Sequence, residues 1–194
     1  MKRYIFADSS YNLDDAFNAD SDVRKAQAMN TSSLELMEIY FYDPSEEVRT
    51  WLAANPNLPL EYMQKLSHDP ESLIRTGIAV NKSAPEEILS DLAADPDAYV
   101  RVGVACNKNS TGSVLEKLYH NSVEDFIFEF IAKNINTPAD VFWCLQRSRN
   151  RSVVYNLAEN PSVPPEILNK IRFNTDDAGI KAAAIRNLTG RGYM

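Results

Sequence analysis

The sequence predicts an all-α fold, a right-handed α-solenoid of about six to seven two-helix repeats of about 26 residues each. Three observations predict this fold: glycine is scarce, one motif recurs at a nearly constant spacing, and no proline interrupts a predicted helix. The 194 residues include only 6 glycines, whereas average usage of about 7% would give roughly 14. Tight turns depend on glycine, so its scarcity favours helices over a turn-rich all-β fold.

The repeat is marked by the motif Ala-x-Asn, whose asparagines we call the column asparagines. Successive column asparagines are 25 to 27 residues apart, and a valine or isoleucine stands seven residues before each. We predict that each closes a helix in the left-handed C-cap conformation that asparagine tolerates. The column asparagines are Asn30, Asn55, Asn81, Asn107, Asn134 and Asn160, with a degenerate seventh at Asn187.

Each repeat is predicted to contain two helices. The first, the A helix, ends at the column asparagine and starts twelve residues earlier at a capping residue. These residues are Asn18, Asp43, Asp69, Asp95, Ser122, Ser148 and Thr175, three of them followed by a proline at the predicted first helical position. The second, the B helix, opens at Pro59, Pro85, Pro138 or Pro164 and carries apolar residues at offsets of three and four.

Neighbouring repeats are expected to stack, because two helices of about ten residues cannot bury their apolar faces alone. We therefore predict a single repeat domain over 1–194. Within it, residues 1–17 form an N-terminal cap, residues 18–187 form the repeats and residues 188–194 form a C-terminal tail.

The pattern Asn-Pro-x-x-Pro-x-x-x-Leu-x-x-Leu-x-x-Asp-Pro-x-x-x-Val-Arg-x-x-x-Ala resembles the leucine-rich repeat variant family and, more broadly, HEAT-like repeats. The resemblance covers about residues 18–187 and implies a scaffold that binds other macromolecules. Founding members of the variant family carry a cysteine-ligated iron–sulfur cluster ahead of the repeats. That cysteine cluster is absent here, so we expect no cofactor.

The resemblance to HEAT repeats also implies a structural ladder of aspartate and arginine. The matching pairs, six residues apart, are Asp43/Arg49, Asp69/Arg75 and Asp95/Arg101. Each guanidinium is expected to bond the aspartate of its own or the adjacent repeat. Where the aspartate becomes Ser122 or Ser148, the arginine becomes Phe128 or Val154. This joint change favours a structural role over phosphate binding by the arginine column.

Aromatic residues on a second face of the A helices are the first candidate binding site. In HEAT-like repeats this helix lines the concave side, so we expect a protein or peptide partner there. The alternative, which the sequence leaves open, is that a tight superhelix buries these residues between layers. The candidate residues on this face are Trp51, Tyr99, Phe126, Phe130 and Tyr155. Phe128, from the arginine column, is added because Phe126, Phe128 and Phe130 alternate, and we expect Ile127 between them to point inward.

An asymmetric charge distribution gives a second candidate site. Residues 1–100 carry 8 Lys+Arg against 18 Asp+Glu, a net of −10, whereas residues 101–194 carry 12 against 9, a net of +3. The basic C-terminal repeats therefore offer nucleic acid as the alternative partner. The candidate phosphate-binding residues are Arg147, Arg149, Arg151, Arg172 and Arg186.

Other function classes find little support in the sequence. The chain has no glycine-rich phosphate loop, HExxH or GxSxG motif, and its cysteines, Cys106 and Cys144, lie in no CxxC and are expected in the core. We therefore expect no enzymatic activity, no catalytic residues and no metal. No apolar run reaches the roughly 18 residues of a membrane span, and no signal peptide is recognisable, so a cytoplasmic protein without a membrane partner is expected.

Overall fold

The structure is a computed structural model that describes residues 20–193, which form thirteen α-helices and no β-strand. The A helices are α1 (Ser21–Asn30), α3 (Glu46–Ala53), α5 (Ser72–Val80), α7 (Ala98–Cys106), α9 (Asp125–Lys133), α11 (Arg151–Glu159) and α13 (Ala178–Gly190). The B helices are α2 (Leu34–Phe41), α4 (Leu60–Leu66), α6 (Glu86–Leu92), α8 (Gly112–His120), α10 (Ala139–Leu145) and α12 (Pro165–Asn174). The prediction of an all-α fold built from two-helix repeats is confirmed. The predicted N-terminal cap, 1–17, lies outside the described residues.

The chain divides into two compact units at Ser83 and Ala84, and each unit is a stack of its own helices. In the first unit α3 packs between α1 and α5. In the second unit α9 packs between α7 and α11, and α11 packs against α13, while α12 pairs with α13. Successive A helices therefore pack against one another in both units, and helices of neighbouring repeats are in contact, as in a solenoid of helical repeats.

Two columns of small or branched residues build the core. The branched residue seven positions before each column asparagine is almost completely buried from the second repeat onwards: Val48, Ile74, Val100, Ile127, Val153 and Ile180. The alanine two positions before the asparagine is buried as well, at Ala53, Ala79, Ala105, Ala132 and Ala158. A methyl side chain at that position lets successive A helices approach closely, so the periodic pattern in the sequence correctly identifies the core.

Within each unit, the column asparagines connect an A helix to the preceding one. In the second unit, Asn160 Nδ2 donates to the carbonyl oxygens of Ala132 at 2.8 Å and Asn134 at 3.0 Å. Its Oδ1 accepts the backbone N–H of Ser162 at 2.8 Å. The same pair of donated bonds is made by Asn81 to Ala53 and Asn55, by Asn134 to Ala105 and Asn107, and by Asn187 to Ala158 and Asn160. We call this chain of bonds the asparagine ladder.

The column asparagines do not have the left-handed backbone conformation that was predicted for them. Asn81, Asn107, Asn134 and Asn160 are C-cap residues, but their φ lies between −63° and −74° and their ψ between 121° and 130°, which is extended backbone. No described residue other than glycine has a positive φ. A left-handed cap would satisfy helix-end carbonyls within the same chain segment. At Ala53, Asn55, Ala105 and Asn107, among others, the asparagine amide of the next repeat does so instead.

The first repeat departs from the ladder by one residue. Asn55 Nδ2 donates at 2.8 Å to the carbonyls of Ala28 and Thr31, not Asn30. Asn30 ends α1 as predicted, but its exposed side chain donates only to Ala26 of its own helix. The true column position of this repeat is therefore Thr31, the C-cap of α1. Counted from Thr31, the first spacing is 24 residues, two shorter than the 26 residues between Asn55 and Asn81.

The predicted N-caps of the A helices are wrong. The carboxylates of Asp43, Asp69 and Asp95 each accept the backbone N–H two residues later, at 2.8–2.9 Å. Each aspartate therefore forms a turn in which the following proline occupies the second position, and the helix begins two residues beyond the proline. Ser148 and Thr175 form the same turn with their hydroxyls, and Asn18 lies outside the described residues. The prolines predicted to open B helices do stand directly before them, at Pro59, Pro85, Pro138 and Pro164.

Gly77 shows how closely two A helices approach. A Cβ at this position of α5 would lie 2.7 Å from the carbonyl oxygen of Thr50 and 2.8 Å from Cβ of Ala53, both on α3. These distances are well inside van der Waals contact, and neither atom belongs to a flexible side chain. Glycine is required here because the helix backbones themselves are in contact, not because of a special φ.

Asn160→Ala should lower the free energy of unfolding by about 1–3 kcal/mol, because it leaves the buried carbonyl of Ala132 and the N–H of Ser162 without their partner. It also removes one of the two hydrogen bonds to the carbonyl of Asn134, which keeps the N–H of Thr137. The matched control is Asn30→Ala, which removes an asparagine of the same sequence column whose bond is exposed and local. Its effect should stay within about 0.5 kcal/mol. Urea denaturation of both variants measures the difference, and equal losses would contradict the ladder.

Gly77→Ala should destabilise the protein by about 1–3 kcal/mol, because the added methyl group overpacks the contact between α3 and α5. Gly190→Ala is the control, since a Cβ there meets no atom within 4 Å. Alanine favours the helix by up to about 1 kcal/mol relative to glycine, so the control should leave the melting temperature unchanged or raise it. A Gly77→Ala protein as stable as the control would show that the helices are not held this close.

Candidate functional site

Within a repeat, the arginines of the predicted aspartate–arginine ladder bond the backbone of the aspartate and not its carboxylate. Arg49 Nη1 donates to the backbone carbonyl of Asp43 at 2.7 Å, and Arg75 Nη1 to that of Asp69 at 2.8 Å. Arg101 makes the equivalent bond to the carbonyl of Asp95. The six-residue offset therefore reports a bond to the aspartate backbone. The aspartate carboxylate instead accepts the backbone N–H two residues later.

Between adjacent repeats the arginine does reach a carboxylate. Arg24 Nε and Nη2 donate to the two carboxylate oxygens of Asp43 at 2.8 and 3.3 Å, a bidentate pair in which the aspartate is almost completely buried. In the second unit Arg101 cannot repeat this contact, because the next residue of the aspartate column is Ser122. Its Nη2 instead donates to Glu124 at 2.6 Å, and this hydrogen bond lowers the pKa of Glu124.

The replacement of aspartate by Ser122 leaves a visible defect. Arg101 Nε and Ser122 Oγ are both buried and have no hydrogen-bond partner in the described structure. Further along the second unit, Phe128 and Val154 occupy the arginine column. The Phe128 ring lies 5.3 Å from that of Tyr119 on α8, so an aromatic contact replaces the ion pair. Val154 has no equivalent replacement, and a groove opens beside it.

Four of the six candidate aromatic residues form two groups, one exposed and one half-buried. Tyr99 and Phe126, on neighbouring helices α7 and α9, are 72% and 41% exposed, with ring centroids 6.4 Å apart. Phe130 and Tyr155 are half-buried beneath cations, with Lys133 and Arg151 at 5.6 and 5.8 Å from the respective centroids.

The remaining two candidates do not join the Tyr99–Phe126 pair. Trp51 is 42% exposed and belongs to the first unit. Phe128 packs on Tyr119, so the alternating phenylalanines of α9 do not form one patch. Ile127 between them is fully buried, as expected, and Phe126 is the most accessible of the three.

The predicted basic cluster is not a single surface. Arg186 Nη2 donates to Glu159 at 2.6 Å and lines a small groove with Arg191. Arg151 forms a bidentate pair with Asp177, whose pKa the guanidinium lowers. The Arg172 guanidinium lies 4.5 Å from the ring centroid of Phe173.

Only Arg149 and Arg151 of the predicted cluster reach a common groove. Arg147 is exposed but lines neither groove. Sequence reasoning missed the common groove, although the departures at Val154 and Thr175 from the arginine and aspartate columns signalled it. It has a volume of about 320 Å³. Its lining is Gln146, Ser148, Arg149, Arg151, Val154, Lys170, Ile171, Asn174, Thr175, Asp177 and Ile180.

The cysteines do not occupy the positions that the sequence predicted for them. Cys106 and Cys144 are free and exposed, so the expectation that both are core residues is wrong. Cys106 precedes a column asparagine, a position that is also exposed at Val80 and Lys133. In the described part of the chain no group of three or more His, Cys, Asp or Glu side chains is arranged to hold a metal ion. Among residues 20–193 we also find no helix with the length and apolar character of a membrane span.

Comparison with known proteins finds a solved structure with a similar fold. A scan of protein-family models finds no match, and no curated protein matches in sequence. Among solved structures, one described as a leucine-rich repeat variant with a novel repetitive protein structural motif is similar, with a TM-score of 0.62 and 23% sequence identity. The match covers 88% of this chain and 67% of that chain. The likeness that the sequence pattern suggested is therefore present in three dimensions, and the chain has the fold of a leucine-rich repeat variant.

Proposed function

We propose that this protein is a non-enzymatic interaction scaffold that binds a protein or peptide partner on the exposed side of helices α7 and α9. The observation that carries the proposal is the pair of exposed aromatic rings at Tyr99 and Phe126, which lie next to each other on successive A helices. Val123, in the loop directly before α9, is 88% exposed and adds apolar surface. We call these three residues the aromatic patch.

The physical argument for a partner is the free energy of desolvation. Aromatic side chains bury a large apolar area with few rotatable bonds, and they are enriched among the residues that dominate binding energy at protein interfaces. The A helices hold the two rings rigidly, since Val100 and Ile127, adjacent to them in sequence, are completely buried. A partner that covers the patch therefore loses little conformational entropy on the side of this protein.

The chemistry around the patch favours a partner with apolar and basic side chains. Asp97 caps α7 directly beside Tyr99, and the exposed Asp125 precedes Phe126. Glu124 is less available because Arg101 already holds its carboxylate. Carboxylates at the rim discriminate against acidic partners and steer basic ones toward the patch.

Nucleic acid remains the alternative partner, at the basic C-terminal helices, and salt dependence distinguishes the two. Binding of a phosphate backbone weakens steeply between low and physiological ionic strength, because each neutralised phosphate releases counterions. Binding at an aromatic patch depends on salt only through its rim charges.

The double substitution Tyr99→Ser/Phe126→Ser should weaken partner binding at least about tenfold, or about 1.4 kcal/mol, because it removes the buried anchors of the interface. A partner is first captured from native lysate with the wild-type chain, and its Kd is then measured by calorimetry for wild type and variants. Neither ring lies in the core, so the melting temperature should change little.

Tyr42→Ser is the matched control, because Tyr42 is 74% exposed but belongs to the first unit. It should leave the Kd within about twofold. The proposal fails if the control weakens binding as much as the double substitution does, or if the double substitution leaves binding unchanged.

A further inference from the structure

The groove beside Val154 exists because the arginine–aspartate pair between adjacent repeats is missing there. In the first unit the same place between two A helices is filled by Arg24 and Asp43, with side chains 15% and 1% exposed. The equivalent residues between α11 and α13 are Val154 and Thr175, and both line the groove. Their side chains are much shorter than arginine and aspartate, so the space of an ion pair is left open. We call this space the α11–α13 groove.

The floor of the groove is apolar and its rim is rich in donors. Ile171 and Ile180 are almost completely buried and form the floor with Val154. Ser148 Oγ and Thr175 Oγ1 each accept a backbone N–H at 3.1 Å, which leaves their hydroxyl protons directed elsewhere. The groove can therefore bury an apolar group and hydrogen-bond an acceptor next to it.

The charges of the lining are unbalanced. Arg149, Arg151 and Lys170 contribute three cations, whereas Asp177 is the one carboxylate. Asp177 is already used, because Arg151 binds both of its oxygens and the N–H of Ile180 donates to it as well. Lys170 is held at the rim with its Nζ 4.5 Å from the centroid of the Trp143 ring. Arg149 and Lys170 thus remain to attract an anion.

From this arrangement we propose that the α11–α13 groove binds a short acidic segment of a partner protein, with an apolar residue flanked by Asp or Glu. The apolar side chain fills the place of the missing ladder pair against Ile171 and Ile180. The carboxylates meet Arg149 and Lys170 and accept from the hydroxyls of the rim. A volume of about 320 Å³ is at the small end of the roughly 300–1,000 Å³ typical of ligand pockets. It suits one or two side chains of an extended peptide.

An acidic peptide fits the groove better than nucleic acid does. A bound strand needs a row of phosphate contacts or exposed rings on which bases stack. Arg186, which would extend the row, is paired with Glu159 and lines the other groove. Trp143 is half-buried and already contacts Lys170. The groove is also separate from the aromatic patch, so either site can fail its test without affecting the other.

The test uses the peptide acetyl-Glu-Glu-Leu-Glu-Glu-amide, titrated to about 10 mM into the ¹⁵N-labelled full chain and followed by NMR. We expect saturable shifts at the Nε–H of Arg149 and at the backbone amides of Ile171, Thr175 and Asp177. The peptide with glutamine in place of glutamate should produce at least about tenfold weaker binding. Absence of saturable shifts, or equal binding of the glutamine peptide, overturns the proposal.

Two charge-reversal variants separate the groove from the general basic surface. Arg149→Glu should weaken binding at least about tenfold, whereas Arg147→Glu, which makes the same change two residues away outside the groove, should leave it within about twofold. Both residues are exposed in the loop before α11, so neither substitution threatens the fold. Equal effects of the two variants would show attraction to net charge alone and overturn the site.

A third variant closes the groove without changing the net charge. Val154→Arg/Thr175→Asp rebuilds the pair seen at Arg24 and Asp43. It should abolish the peptide-induced shifts while the melting temperature is maintained. A folded double variant that still binds the peptide overturns the proposal. So does a single-stranded twelve-nucleotide DNA that displaces the peptide from the wild-type groove with the steep salt dependence of phosphate binding.

Discussion

The hydrogen bonds of the column asparagines are the constraint on which the rest of this structure depends. A carboxamide offers two N–H donors and one acceptor at fixed angles, so one side chain can hold two carbonyls of the preceding repeat and one N–H of its own loop. At Asn160 all three bonds are 2.8–3.0 Å long, and the residue is 3% exposed. Buried carbonyls at a helix end are costly without donors, and the next repeat supplies these donors.

Close approach of the A helices follows from the same bonds. An asparagine side chain is short, so it reaches the previous helix only if the two backbones lie near each other. Ala53 and Gly77 make that approach possible, because any larger side chain there would separate α3 from α5. The alanine and the asparagine of the motif Ala-x-Asn therefore act together. The carbonyls of both residues accept hydrogen bonds from the asparagine of the next repeat, and the small alanine side chain allows the two helices to lie close together.

The arginine column, by contrast, varies along the chain, and its variation shapes the surface. Arg24 forms a bidentate ion pair with Asp43 of the next repeat, and Arg101 forms an ion pair with Glu124. Phe128, in the same column, packs against Tyr119. At Val154 nothing takes the space, and a groove results. The asparagine ladder holds the helices in place whatever occupies the arginine column. The column is therefore free to form binding surfaces without loss of the fold.

The sequence by itself determined the all-α repeat fold, the repeat length, the positions of the branched and alanine columns and the resemblance to leucine-rich repeat variants. Each of these follows from the periodic burial of side chains, which a linear pattern records directly. Tertiary structure decided what the polar columns do. Asn160 looked like a left-handed cap and Asp43 like a helix cap, because local rules assign polar residues near helix ends to their own helix. The partners of Asn160 lie 26 and 28 residues away, and Arg24 reaches Asp43 across 19. Exposure of Tyr99 and the groove beside Val154 likewise depend on which side chains the neighbouring repeat supplies, and spacing within one repeat does not contain that information.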